Sequence, residues 1–336
     1  MPEISTDMLS RELVRQLRGS QSQPAFSRAL GFTSNVVYTW ESGRRHPEVS
    51  TFMRAAELGG LPVRQRILQF WPKVASSLAA LRVSSPRAIQ QLTRHIVGQV
   101  PKQEVAERAG VNRTTLARWL SGSTEPRLPE FLRLVDATTQ RLLQFVAQFA
   151  DPAKLSSTRL AYRDLQAQEK LAYDLPLSHA VLRALELVSY RALPAHDPGF
   201  LGRQIGLDPK AEEYYLSELA QSGQIRWDGT HWVVERVLTV DTRKDPVRNR
   251  QLKAHWAEAA LERLRQGSED PDALFSFNLF AISADSFRTI RELHLEYYDR
   301  VRAIVERSTD PDRVVLMNLQ LVPLRKAGPR SGGATS

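Results

Sequence analysis

The sequence contains no cysteine. That excludes a disulfide framework, an iron–sulfur cluster, a thiolate zinc site and a cysteine nucleophile. Histidine is sparse, at 7 of 336 residues, and no two histidines stand three or four apart, the spacing that sets two imidazoles on one helical face. No apolar run approaches the ~20 residues needed to span a bilayer, and the first residues carry no apolar stretch of the signal-peptide kind. No Gly-rich phosphate loop, nucleophile elbow or triad stands in a motif context. Glu292, Glu296 and Asp299 share a stretch of one expected helix, but Arg288, Arg291, Arg300 and Arg302 are interleaved among them. A salt-bridged solvated face accounts for these residues better than paired catalytic carboxylates do. The expectation is a non-enzyme without cofactor or metal, with no membrane partner, located in the cytoplasm at the nucleoid.

Positive charge is what the chain has in excess: 46 Lys+Arg against 37 Asp+Glu, a net +9. It is unevenly spread. Residues 1–75 carry +4, residues 76–150 carry +5, residues 151–240 carry −2 and residues 241–336 carry +2. The first 150 residues therefore equal the whole excess, so any footprint for a polyanion is N-terminal.

The same basic half contains a degenerate repeat. Trp40 and Trp119 are 79 residues apart, and at that offset Gly31 meets Gly110, Ser42-Gly43 meets Ser121-Gly122, Pro47 meets Pro126, Phe52 meets Phe131 and Arg54 meets Arg133. Leu13 and Arg15 also meet Leu92 and Arg94. Each copy predicts a small helical bundle. Leu9, Leu13 and Leu17 mark one helical face, and Gly31 and Gly110 suit a tight turn between two helices. Short helices are expected over 34–41 and 113–120, each followed by a Ser-Gly stop.

A helix, a Gly turn and a second helix form a helix-turn-helix, whose second helix is presented to the major groove. GFTSNVVYTWESGRRHP and GVNRTTLARWLSGSTEP both resemble the Cro/CI-type, XRE-like repressor domain, and VPKQEVAERAGVNRTTLARWLSG is the cleaner match. The resemblance implies base contacts from the start of the third helix. In copy two these are Asn112, Arg113, Thr114 and Thr115, with Arg118 one turn on. In copy one they are Ser34, Asn35, Val36 and Thr39, with Tyr38 nearby. An Arg113–guanine pair would supply about 1–3 kcal/mol of discrimination. Gln23 and Lys102 match a position that touches phosphate in that family, and Arg44 and Arg45 follow the third helix where phosphates would lie.

Further along, residues 177–240 read as three helices and a hairpin. Pro209 opens the third helix, and Asp228-Gly229 marks the hairpin turn. This is a winged-helix pattern, but its groove-facing helix would begin with Glu212 and Glu213, so a packing or dimer-forming role is favoured over DNA binding. After it come an amphipathic helix over 245–265, an apolar strand over 274–283, a long helix over 285–307 and a second strand over 313–324. From Leu177 to Leu324, YYLSELAQSGQI, the hairpin, the Ile282-Ser283 to Phe287 step and DRVVLMNLQLVPL resemble a family of bacterial transcriptional regulators. Their C-terminal domain has no assigned function, and they too place an XRE-like unit upstream.

The expected fold is mainly α and multidomain. It comprises two helix-turn-helix bundles (1–75 and 80–150), a helical linker (151–176), a winged-helix unit (177–240), a small C-terminal α+β domain (241–325) and a disordered tail (326–336). The function expected is sequence-specific transcriptional regulation through double-stranded DNA. The C-terminal half would form a homodimer or sense an unknown ligand or protein partner. Two alternatives stay open: an interaction scaffold with degenerate helix-turn-helix units, and an enzyme built on the C-terminal α+β domain.

Overall fold

The computed structural model describes residues 4–98, 100–235, 245–267 and 271–324. The chain folds as two compact units, one of Met1–Asp174, Leu216–Trp227 and Val234–Asp241, the other of Leu175–Tyr215, Asp228–Val233 and Thr242–Ser336.

The first unit is built on the repeat. Its first half holds α1 (Thr6–Arg18), α2 (Gln23–Ala29), α3 (Val36–Glu41), α4 (Val49–Leu58) and α5 (Val63–Phe70). Its second half holds α6 (Pro86–Val97), α7 (Lys102–Arg108), α8 (Arg113–Ser121), α9 (Leu128–Thr139) and α10 (Leu142–Val146). α2 and α7 begin and end 79 residues apart, and α4 and α9 begin 79 apart, as do α5 and α10. The starts follow from capping chemistry. Ser5, Ser22 and Ser85 each accept a hydrogen bond from the backbone N–H three residues on, and Pro24 and Pro86 sit where a helix has no use for their missing N–H. Gly31 and Gly110 adopt φ of +82° and +63° at the turn before α3 and α8, a conformation an L side chain resists.

One continuous core runs through both halves. Trp40, Trp119, Phe52 and Phe131 are buried in it, as are Phe26, Val37, Val105 and Leu116. Phe145 lies at its centre, against Phe70, Trp71, Phe131 and Phe149, with ring centroids 5.5, 5.3, 5.9 and 5.2 Å away. The core extends past the repeat to Leu155. Ser156 and Ser157 hydrogen-bond Glu12 through their backbone N–H groups, and α11 (Arg159–Asp174) follows with Ala161, Leu165 and Leu171 buried. The hydrogen bonds from Ser156 and Ser157 outweigh the cost of partial burial and hold the Glu12 carboxyl below its ordinary pKa.

Beyond it come α12 (Ser178–Leu185), α13 (Val188–Arg191), α14 (Phe200–Ile205), α15 (Pro209–Gln221), and the two-stranded hairpin of β1 (Ile225–Trp227) and β2 (Trp232–Val234). The first of the three helices read over 177–240 is formed as two short pieces, α12 and α13. In the second unit the Tyr190 hydroxyl accepts from the Trp232 N–H and lies 3.1 Å from His196 Nδ1. Burial of that phenol pushes its pKa up to about 12. Glu212 corrects the expectation of a carboxylate facing the groove. It is only 2% exposed, and it accepts hydrogen bonds from the backbone N–H groups of Gly199 and Gly202 at 3.0 and 2.8 Å.

The last elements are α16 (Pro246–Arg265) and α17 (Ala284–Arg307). The strands expected over 274–283 and 313–324 are not formed, so among the described residues the small α+β domain is corrected to two helices, with no regular secondary structure in either segment. The residues are described, but neither segment has a ladder partner. Among the described residues the only strands are β1 and β2. The expected tail, 326–336, lies outside the described residues.

Candidate nucleic-acid interface

α8 is packed between α6 and α7 by Leu116 and Trp119, which are buried. That fixes which side of α8 faces out. Arg113, Thr114 and Arg118 are exposed, Thr115 is half-buried, and Lys102 is exposed at the start of α7. Asn112 is exposed but occupied, since its side chain accepts from the Thr114 N–H at 2.8 Å and caps α8. Neither Arg113 nor Arg118 enters an ion pair that the described residues form with each other, whereas Arg108 on α7 is paired with Glu104. Arg113, Thr114, Arg118 and Lys102 therefore present two guanidinium groups, a hydroxyl and an ammonium to solvent from one helix-turn-helix surface.

Copy one is arranged in the same way but chemically altered. Val37 and Trp40 hold α3 inward, while Ser34, Asn35 and Tyr38 are exposed and Thr39 is half-buried. Asn35 caps α3, accepting from the Tyr38 N–H, and also takes a hydrogen bond from the Ser27 hydroxyl. The Thr39 hydroxyl donates to the Val36 carbonyl at 2.7 Å. Arg44 lies over the Tyr38 ring, 5.3 Å from its centroid, and Arg45 beside it is exposed. Gln23 points inward: its Nε2 donates to Glu41 Oε2 at 2.8 Å.

Glu41 is the residue that reading the sequence missed. It is 5% exposed at the end of α3, with Arg18 Nε at 2.6 Å and Arg15 Nε at 3.8 Å. Burial alone would raise its pKa, but the hydrogen bonds from Arg18 and Gln23 and the charges of Arg18 and Arg15 hold it below the usual carboxylate range. In copy two the equivalents of Arg18, Gln23 and Glu41 are Val97, Lys102 and Leu120. The polar triad has become an apolar pair, which frees the third residue, Lys102, to face solvent. Arg94 and Gln90 donate to the Leu120 carbonyl, as Arg11, the equivalent of Gln90, donates to the Glu41 carbonyl in copy one. That concerted switch at the 79-residue offset was the available sequence signal.

Residues 100–139 match the family model described as helix-turn-helix (HTH_3). Residues 156–324, just over half of the chain, match the family described as a domain of unknown function (DUF4423). The chain belongs to the DUF4423 family. The match begins ahead of Leu177, where the sequence features of the resemblance start, and takes in α11. No curated protein and no solved structure matches the chain. An XRE-like helix-turn-helix domain is thus present at 100–139 in this DUF4423 protein, and it supports a DNA-binding regulatory role, with DNA as the implied partner. The helix-turn-helix is a non-catalytic module. Among the described residues no group of three or more His, Asp or Glu side chains is placed to hold a metal ion, and no helix is long and apolar enough to cross a membrane.

Proposed function

We propose that the protein is a sequence-specific transcriptional regulator that reads double-stranded DNA in the major groove. The observation that carries this reading is the helix-turn-helix match at 100–139, with Arg113 and Arg118 exposed on the outward face of α8. Arg113, Thr114 and Arg118 contact base edges, with Thr115 at the margin. Lys102 contacts phosphate, and Asn112 holds the helix start. α1–α4 form a second helix-turn-helix that offers Ser34, Tyr38 and Thr39 to the groove and Arg44 and Arg45 to phosphates, while Asn35 and Gln23 are held mainly by internal bonds. The C-terminal half forms a homodimer through the exposed apolar residues of 271–324, or senses a ligand.

The test is duplex binding by the full chain across salt concentration, with wild type against an Arg113→Ala/Arg118→Ala variant. Each lost phosphate or base cation lowers the slope of log K against log[salt] by about one unit. A shallower slope and weaker binding in the variant are expected. Identical curves would refute α8 as the reading helix.

A further inference from the structure

The two halves of the repeat meet across an axis, and this bears on the kind of DNA that a groove-reading protein of this design can bind. Glu48 and Arg127, equivalent residues 79 apart, are antiparallel bridge partners. Beside them the Val49 N–H donates to the Pro126 carbonyl at 3.2 Å, and the Leu128 N–H donates to the Pro47 carbonyl at 2.9 Å. Exchanging every residue for its equivalent turns the first of these bonds into the second. A two-fold axis produces that reciprocity, whereas a head-to-tail repeat would bring two different surfaces together and leave one of each open. Helix packing repeats the pattern independently of the bridge. α1 packs on α9, α6 packs on α4, and α4 and α9 pack on each other. The seam is fastened by further bonds: Arg127 donates to the His46 carbonyl at 2.6 Å, and Glu125 accepts from the Ser50 N–H in the first turn of α4. Pro47 and Pro126 are buried beside it.

We infer that residues 5–150 are an intramolecular two-fold dimer, and that one chain reads an inverted-repeat duplex with two unlike halves, α8 on one half and α3 on the other. This rests on the DNA-binding reading above and adds the symmetry of the target. The axis passes through the ends of the loops that follow α3 and α8, so the two reading helices flank it. Duplex DNA has two-fold axes of its own, and half-sites about one helical turn apart suit such a pair. The halves must differ in sequence, because Arg113, Thr114 and Arg118 stand where copy one has Ser34, Asn35 and Thr39. A guanine contact made by either arginine is available in one half only.

The experiment is selection from a duplex pool with a random core of about 30 base pairs, using the full chain as wild type and as Arg113→Ala. Thirty base pairs leave room for two half-sites about one turn apart. Arg113 is exposed, and circular dichroism checks that the variant keeps its helices. Wild type is expected to enrich an inverted repeat with unequal halves. Arg113→Ala is expected to lose base preference in one half alone and to bind the wild-type consensus about tenfold more weakly. Enrichment of a direct repeat or of a single half-site overturns the inference. So does an equal loss in both halves, the result if two chains each supplied α8. All three of those outcomes leave DNA binding standing. Failure of wild type to enrich or bind any duplex removes the DNA reading itself.

Discussion

Glu41→Ala tests what holds α3 in place. In the wild type, Glu41 takes Arg18 Nε at 2.6 Å and a second Arg18 nitrogen at 3.3 Å, with Gln23 at 2.8 Å. Removing one partner of a fully buried ion pair costs about 3–5 kcal/mol, because the other charge is left unpaired. The Arg18 side chain keeps 17% of its exposure and Arg15 keeps 59%, so both can recover water. The expected loss is therefore smaller, about 2–3 kcal/mol. In a unit of this size that lowers the thermal midpoint by roughly 4–12 °C. Urea unfolding of wild type, Glu41→Ala, Arg18→Ala and the double variant gives the coupling, expected at about 1 kcal/mol or more. Copy two supplies a control. Glu41→Leu with Arg18→Val installs the residues of Leu120 and Val97, and an apolar pair replacing an ionic one is often near neutral. That variant should lose less than Glu41→Ala. The Glu41 pKa is depressed in the fold, so its contribution is whole above the unfolded value near 4.5 and is lost as pH falls through the folded one. The gap between wild type and Glu41→Ala should close in acid. Either a Glu41→Ala loss under about 0.5 kcal/mol at neutral pH or an apolar pair less stable than Glu41→Ala would refute the reasoning.

Two further substitutions test the cores separately. Phe145→Ala removes a fully buried ring with four aromatic neighbours. It should cost about 3–5 kcal/mol in denaturant unfolding, and a loss under 1 kcal/mol would mean the two halves of the repeat do not share one core. Glu212→Ala strips the Gly199 and Gly202 N–H groups of their acceptor and should destabilise the fold by about 1–3 kcal/mol. It should leave duplex binding unchanged, measured by anisotropy, because Glu212 is turned inward; an altered affinity would restore that helix as a DNA contact.

The repeat was legible because it is written in residues with backbone duties. Gly31 and Gly110, the Ser-Gly stops, Pro47 and Pro126 each fix a turn, and turns tolerate few residue types. Gly19 and Gly98 belong to the same set, with φ of +58° and +55°, and extend the repeat back through α1 and α6. The arginines of α8 were legible through the spacing of Leu116 and Trp119, which assigns the opposite face to solvent. Glu41 was not, because an acid in the last turn of a six-residue helix reads as surface, and its partners are 18 to 26 residues upstream. Glu212 failed for a related reason: its acceptors' donors are the backbone of another helix start, and backbone N–H groups leave no mark in a sequence. The two-fold relation was likewise out of reach, since an offset of 79 fits a translation as well as a rotation.

The C-terminal segments show the limit of periodicity as evidence, and they make the dimer testable. The apolar runs in 274–283 and 313–324 report which side chains favour burial. They do not report where the neighbouring strand is. In the single chain Leu274 and Phe277 stay 93% and 91% exposed, Leu279 and Leu324 stay 79% and 78% exposed, and Leu293, Tyr298, Ile304 and Val305 on α17 are exposed as well. α16 has no buried residue. Monomeric proteins rarely leave apolar patches of more than a few hundred Å² open to water. A second copy of the chain offers the matching apolar face. Sedimentation equilibrium of the full chain at micromolar concentration should therefore give twice the 38.0 kDa of one chain. Phe277→Asp, which places a charge on that surface without touching a buried residue, should return it to one. A wild type that is monomeric there would refute the C-terminal half as the dimerising part and leave its sensing role as the surviving proposal.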